Sequence, residues 1–140
     1  MKVIQLAVAL CLGMWALPAQ AETVAGSQIR IVDGDTVALG RERIRLLGPD
    51  APEIRDHAHC PAERVAGQRA ADRLRELLRG QSVDIQRHGQ DTYRRTLANL
   101  IVDGRDVGAQ LEAEGLALHW TPGWRAHRAR TTHWCGSGAW

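Results

Sequence analysis

Apolar and polar positions alternate in short stretches over the first third of the sequence and then change period. Ile29 and Ile31 fall on one face of an extended segment, residues 28–32. Asp33-Gly34-Asp35 is turn chemistry, with glycine free to take a positive φ. Val37 and Leu39 resume the alternation and Gly40-Arg41 turns the chain again. Residues 42–47 then read as a third strand, with Ile44 and Leu46 on one face and Arg45 on the other. Gly48-Pro49 ends it, and Asp50-Ala51-Pro52-Glu53 opens a loop whose proline cannot continue a ladder.

Over residues 62–79 the period becomes helical. Ala66, Ala70, Leu74, Leu77 and Leu78 line one side, opposite Gln68, Arg69, Asp72, Arg73 and Glu76, and Gly80 is a fitting stop. Strand patterning returns at 82–86 and 96–102, the latter followed by an Asp103-Gly104 turn. A short helix is predicted over 106–114, closed by Gly115, then a last extended piece at 116–120. Three strands, a helix, two strands and a second short helix predict a mainly β, α+β fold. The expected architecture is a five-stranded, closed barrel of the oligonucleotide-binding (OB) type with one main packing helix. No convincing amphipathic helix is visible in the tail after Trp120.

The first residues read as a processing signal. Lys2 precedes an apolar run over 3–17, and Pro18-Ala19-Gln20-Ala21 supplies an A-x-A cleavage site. The run is shorter than the ~20 residues a membrane helix needs. Cleavage after Ala21 takes 21 of 140 residues and leaves 119 for a single domain, 22–140, with its core at about 28–120. The mature protein is expected in the periplasm or outside the cell, as a monomer without a membrane anchor or stable protein partner. Lys2 is the only lysine, so processing lowers the formal charge from +2 to +1 and leaves arginine as the only strong base. Arginine suits phosphate, although an arginine-only preference reads equally as genomic base composition. Cys11 leaves with the signal; Cys60 and Cys135, alone in an exported chain, favour one disulfide that ties the tail (121–140) back.

If the first three strands form a meander, two acidic turns, Asp33-Gly34-Asp35 and Asp50-Ala51-Pro52-Glu53, fall at one end of the sheet; taken alone, Asp-Gly-Asp also reads as a simple turn. Hard oxygen ligands on two separate loops are what Ca²⁺ or Mg²⁺ requires. The first turn is not an EF-hand loop, because Val37 and Ala38 occupy positions that would need further ligands or glycine.

The runs 31–37 (Ile-Val-Asp-Gly-Asp-Thr-Val), 44–53 (Ile-Arg-Leu-Leu-Gly-Pro-Asp-Ala-Pro-Glu) and 91–98 (Asp-Thr-Tyr-Arg-Arg-Thr-Leu-Ala), in that order, resemble the staphylococcal nuclease (thermonuclease) family. Glu114-Gly115-Leu116-Ala117 extends the resemblance, which covers about residues 28–120. The resemblance implies a Ca²⁺-dependent nuclease acting on DNA or RNA. It assigns Asp35 and Asp50 to the ion through their carboxylates, and Ala51, in place of the family's threonine, through its backbone carbonyl. Glu53 takes the place of the base that activates water. Arg45 and Arg95 match the pair that holds the scissile phosphate, Asp33 matches an acidic position behind the ion, and Tyr93 one beside the nucleotide. Arg94 stands where the family commonly has glycine; it reads either as a phosphate contact or as a residue tolerating the turn. The aromatic residues that stack on a base in the family's tail have no clear match, although Trp120 and Trp124 are nearby.

Two other readings stay open. A relative that kept the fold without turnover would be an OB-type nucleic-acid or protein-binding module, with no chemical need to keep Asp35, Arg45, Asp50, Glu53 and Arg95 together. His57, His59 and Cys60 with His133 and Cys135 also invite zinc, although their spacing matches no zinc motif and an oxidising compartment favours the disulfide.

Overall fold

The structure, a computed structural model, describes residues 21–138. The expected export signal, with Lys2 and Cys11, lies outside the described residues apart from Ala21.

Seven strands form one mixed sheet in the order β1-β6-β7-β4-β3-β2, with β8 paired to β7. These are β1 (Glu22–Ala25), β2 (Ile29–Ile31), β3 (Thr36–Leu39), β4 (Glu42–Leu46), β6 (Ser82–Gln90), β7 (Thr96–Val102) and β8 (Arg105–Asp106). The two end strands, β1 and β2, are separated in sequence only by a 3₁₀ turn, Gly26–Gln28. Three residues span about 10 Å at most, so the sheet must curl until its edges approach each other. A half-barrel of the OB type results. β4 and β7 run parallel, Ile44 opposite Thr96, and the crossover between them contains α1 (Pro61–Leu78). A separate two-strand ladder joins β5 (Pro49–Asp50) to β9 (Leu118–His119).

The apolar faces read from the strands and from α1 supply most of the core, and the second helix adds to it. Ile29, Val37, Ile44, Leu46, Val83, Ile85 and Leu100 from the sheet close on Leu74 and Leu78 of α1 and on Val107 and Leu111 of α2 (Val107–Ala113). Alternation on the strands and helical spacing on α1 thus meet in one apolar cluster.

Four expectations need correction. The sheet has two strands beyond the barrel's five, because β1 and β8 are short edge segments; β1 shows only Val24 half-buried and so carries no alternation to read. β6 runs on to Gln90 through a register shift after Arg87, past the expected end at 86. The tail contains a third helix, α3 (Trp124–Cys135), packed against α1. Its inward stripe is Ala126, Arg130, Thr131, Trp134 and Cys135, helically spaced but mostly polar or small, so hydropathy does not reveal it. Finally, Gly34 is needed for space rather than for a positive φ. A Cβ there would lie 2.6 Å from the Ala51 Cβ and 2.7 Å from the Ala70 Cβ, so the acidic turn rests directly on the second loop and on α1. Among the described residues no helix is long and apolar enough to cross a membrane.

Candidate active site

β4 carries the residue that joins the two acidic turns. Arg45 Nη1 donates to Asp35 Oδ1 at 2.8 Å and Nη2 to Asp50 Oδ1 at 3.0 Å. Asp35 is 4 % exposed; it also accepts from the Thr36 hydroxyl (3.0 Å) and, through Oδ2, from the Ala51 backbone N–H (2.8 Å). Asp33 Oδ1 accepts from the Asp35 N–H at 3.1 Å and fixes the turn between β2 and β3. Burial, reinforced by Asp33 and opposed by Arg45, pushes the Asp35 carboxyl up to about 7. Burial pulls the Arg45 guanidinium down, but Asp35 and Asp50 outweigh it and hold the group above the ordinary arginine range.

In front of this cluster lies a cavity of about 880 Å³, lined by Asp33, Asp35, Arg45, Ala51, Glu53, Tyr93 and Arg95 among others. Asp50 is not among the lining residues and is joined to them through Arg45. Arg95 Nε donates to Asp91 Oδ2 at 2.7 Å and its backbone N–H to Asp91 Oδ1 at 2.9 Å, which anchors the guanidinium stem at the start of β7. Against its own partial desolvation, Asp91 is held below the usual carboxylate range by those contacts and by the Tyr93 N–H. Tyr93, 80 % exposed, stands at the rim with the Arg95 guanidinium 5.5 Å from its ring centroid. Arg94 faces solvent at φ +63°, so it occupies the left-handed turn position that glycine would occupy without strain.

Glu53 reaches the cavity from a loop held by residues that sequence reasoning did not single out. Its backbone N–H donates to Glu63 Oε1 at 3.3 Å, and the other Glu63 oxygen accepts from the His59 N–H at 2.7 Å. Glu63 is 4 % exposed, in the first turn of α1, where a carboxylate is favoured by the helix N-terminus. The same turn is capped by the Cys60 sulfur, which accepts from the Glu63 N–H at 3.3 Å. Gly67 lies under the loop, where a Cβ would come within 2.6 Å of the carbonyl oxygens of Pro52 and Glu53. Burial, then the nearby Asp33 and Glu63 charges, raise the Glu53 carboxyl above its ordinary value, with His57 opposing. The third unforeseen residue is Arg130 of α3, whose Nε donates to Asp50 Oδ2 and whose Nη1 donates to the Thr121 carbonyl at 3.0 Å. No capping signature announces Glu63, because Cys60 rather than Ser or Thr precedes the helix; Arg130 was hidden because α3 itself was.

Cys60 and Cys135 are bonded to each other, their Cα atoms 5.9 Å apart across 75 residues. Neither therefore offers a thiolate. His59 packs against His127 and beside Glu63, while His133 packs against Trp134, so the two histidines of the zinc reading do not converge. Trp120 and Trp124 are both exposed.

The donor set around Arg45 fits a hard cation. A carboxylate offers about four acceptor sites; among the described residues Asp35 receives three donors and Asp50 two. Both keep acceptor capacity. Among the described residues the ion pairs of this carboxylate group come from Arg45, on Asp35 and Asp50, and from Arg130, on Asp50. Oxygen ligands of this kind select Ca²⁺ or Mg²⁺ over softer metals.

A family model, staphylococcal nuclease homologue, matches residues 43–133, well over half of the chain. This chain belongs to the staphylococcal nuclease homologue family. It is 33% identical over 94 residues to the thermonuclease of Staphylococcus intermedius, covering 63% of this chain and 55% of that one. It is 30% identical over 94 residues to the "Probable staphylococcal-like nuclease" of Oryza sativa subsp. japonica, covering 67% of this chain and 26% of the plant protein. An uncharacterized endonuclease of Haemophilus influenzae is 29% identical over 94 residues, 64% of this chain and 48% of its own. The aligned region thus spans between a quarter and a little over half of these relatives. The family match begins at Arg43, so Asp33 and Asp35 join the staphylococcal nuclease region through the Arg45 bridge and the Ala51 hydrogen bond. Their own motif lies just outside the matched residues. The match also extends through Arg130, which makes α3 part of the family domain rather than an appendage.

Proposed function

We propose that this chain is an exported, Ca²⁺-dependent nuclease that hydrolyses phosphodiester bonds of DNA or RNA. The observation that carries the reading is Arg45 bridging Asp35 and Asp50 at the back of a cavity that Glu53 and Arg95 also line. Asp35 and Asp50 would hold the ion through carboxylate oxygens and Ala51 through its carbonyl. A divalent cation bound there neutralises phosphate charge and acts as a Lewis acid on the phosphoryl oxygen. Glu53, whose carboxyl burial raises above its ordinary value, accepts the proton of the attacking water as its oxygen bonds to phosphorus. The bond from phosphorus to the leaving sugar oxygen breaks, that oxygen takes a proton from solvent water to leave as the alcohol, and the Arg95 terminal nitrogens donate hydrogen bonds to the phosphate as charge accumulates. Tyr93 offers an exposed ring at the rim for a base. The disulfide supports placement in an oxidising compartment, the periplasm or outside the cell.

The mature protein is expected to degrade single-stranded DNA or RNA with Ca²⁺ and to stop when the ion is chelated. Glu53→Ala should lower turnover by about 10²–10⁴ while oligonucleotide affinity stays within a few-fold. A Glu53→Ala variant that cuts as fast as the parent would remove Glu53 from the mechanism. Binding with no cleavage under any divalent ion would favour the non-catalytic OB module instead.

A further inference from the structure

Most ion pairs on this surface involve arginines already committed to carboxylates: Arg75, Arg95 and Arg130 pair with one each, and Arg45, Arg73 and Arg87 with two. Arg30 and Arg43 are exposed and have no acidic partner among the described residues. Strand register places them together. Arg30 of β2 lies opposite Ala38 of β3, and Ala38 lies opposite Arg43 of β4. Directly opposed residues share a face, and the adjoining row, Ile31, Val37 and Ile44, belongs to the core. The arginine row therefore faces outward. Between the two cations stands the small side chain of Ala38, itself 2 % exposed, so no bulky group rises between them.

The row also connects two hollows. Arg43 lines the cavity that contains Glu53 and Arg45. Arg30 lines a second hollow of about 350 Å³, beside Arg79 at the end of α1 and along β2, the terminal strand of the sheet. Two strand spacings separate Arg30 from Arg43 by about 10 Å. A stacked single strand advances about 3.4 Å per nucleotide, so the row covers about three nucleotides. It is one guanidinium wide, which fits one strand in single file. Because the chain's formal charge is only +2, this attraction is local rather than global.

We propose that Arg43 and Arg30 form a track for the backbone phosphates flanking the scissile one, leading a single-stranded polynucleotide from the cavity across β3 to the β2 edge. The identity of the strand rests on the nuclease reading. Since phosphates alone are contacted, DNA and RNA are gripped alike. The test measures binding of labelled 12-mer DNA and RNA to the full mature chain by fluorescence anisotropy, in chelator, over a salt series. Arg30→Ala/Arg43→Ala should make the slope of log affinity against log salt shallower by about 1.4 for both strands, 0.7 per lost phosphate contact. Arg30→Lys/Arg43→Lys should restore it, and Arg69→Ala/Arg105→Ala, exposed arginines on α1 and β8, should leave it unchanged. An unaltered slope in the alanine pair, an equal loss in the Arg69/Arg105 pair, or no binding by the parent chain overturns the track. So does a loss confined to phosphatidylglycerol vesicles, which would make the face a membrane contact. Hydrolysis is read separately with added Ca²⁺. No hydrolysis with the slope difference intact removes the nuclease reading and leaves the track; hydrolysis without the difference does the reverse.

Discussion

Glycine in a helix interior ordinarily costs about 1 kcal/mol relative to alanine, yet Gly67 sits in the middle of α1. The reason is contact. A methyl group there meets two backbone carbonyls of the loop that presents Glu53, and backbone cannot step aside as a side-chain tip can. Gly67→Ala should therefore destabilise by about 1–3 kcal/mol, opposite in sign to the propensity expectation, with turnover falling as Glu53 is displaced. Urea unfolding gives the sign directly, and a stabilised variant would refute the contact argument. Arg94 presents the complementary case. Held at φ +63° with its side chain in solvent, it carries left-handed strain, and the hydrogen bond its backbone N–H donates to the Asp91 carbonyl at 3.0 Å is one a glycine would make equally. Arg94→Gly should raise stability by up to about 1 kcal/mol, the relief being partly offset by the freer unfolded chain. An accompanying drop in oligonucleotide affinity would return Arg94 to the phosphate-contact reading.

Among the elements, β4 does the most joining. It pairs with β3 and β7, supplies Arg45, and begins with Glu42, which accepts from Arg87 of β6 at 2.9 and 2.7 Å and from the Thr96 hydroxyl of β7 at 2.8 Å. Arg87 also pairs with Glu22 of β1, so one charge cluster ties four strands. The Arg87 hydrogen bonds, against a smaller desolvation cost, hold the Glu42 carboxyl below its ordinary 4.5. A depressed carboxylate contributes stability above its unfolded value and loses it as pH falls through the folded one. Glu42→Gln should then cost about 1–2 kcal/mol at neutral pH, and the gap between variant and parent should narrow as pH drops below 4.5. A pH-independent gap would mean that shape rather than charge matters at this position. The elements that alternation or helical spacing marks, β2, β3, β4, β7 and α1, were legible because each buries one clean apolar face. β1 and α3 were not, since β1 is an edge strand with one half-buried valine and α3 buries Thr131 and the stems of Arg130 and Cys135. The same holds for the site. Asp35, Arg45, Asp50 and Arg95 stand in recognisable runs, whereas Glu63, Gly67 and Arg130 act through contacts that no local pattern announces.

For the whole molecule, the consequence is that the candidate site is closed from the far end of the chain. α3 reaches it twice, by Arg130 on Asp50 and by Cys135 on Cys60, whose sulfur caps the turn bearing Glu63 and, through it, the Glu53 loop. A cross-link between residues 75 apart stabilises by about 4 kcal/mol in the chain-entropy model. For a domain of this size that corresponds to roughly 15 °C in melting temperature. Reduction, or Cys60→Ser/Cys135→Ser, should therefore lower the melting point by about that amount. Turnover should fall more than stability alone requires, because the cap, Glu63 and Arg130 loosen together. The measurement is Ca²⁺-dependent cleavage at a temperature where circular dichroism still reports a folded chain. Reduced protein that melts lower but cleaves at the parent rate would show that α3 is a staple for the fold and nothing more. A parent-like melting point after reduction would show that α3 holds to α1 without its covalent link. Arg130→Met separates the two attachments: the disulfide stays, Asp50 keeps only Arg45, and a fall in cleavage with little change in melting would locate the coupling in the ion pair.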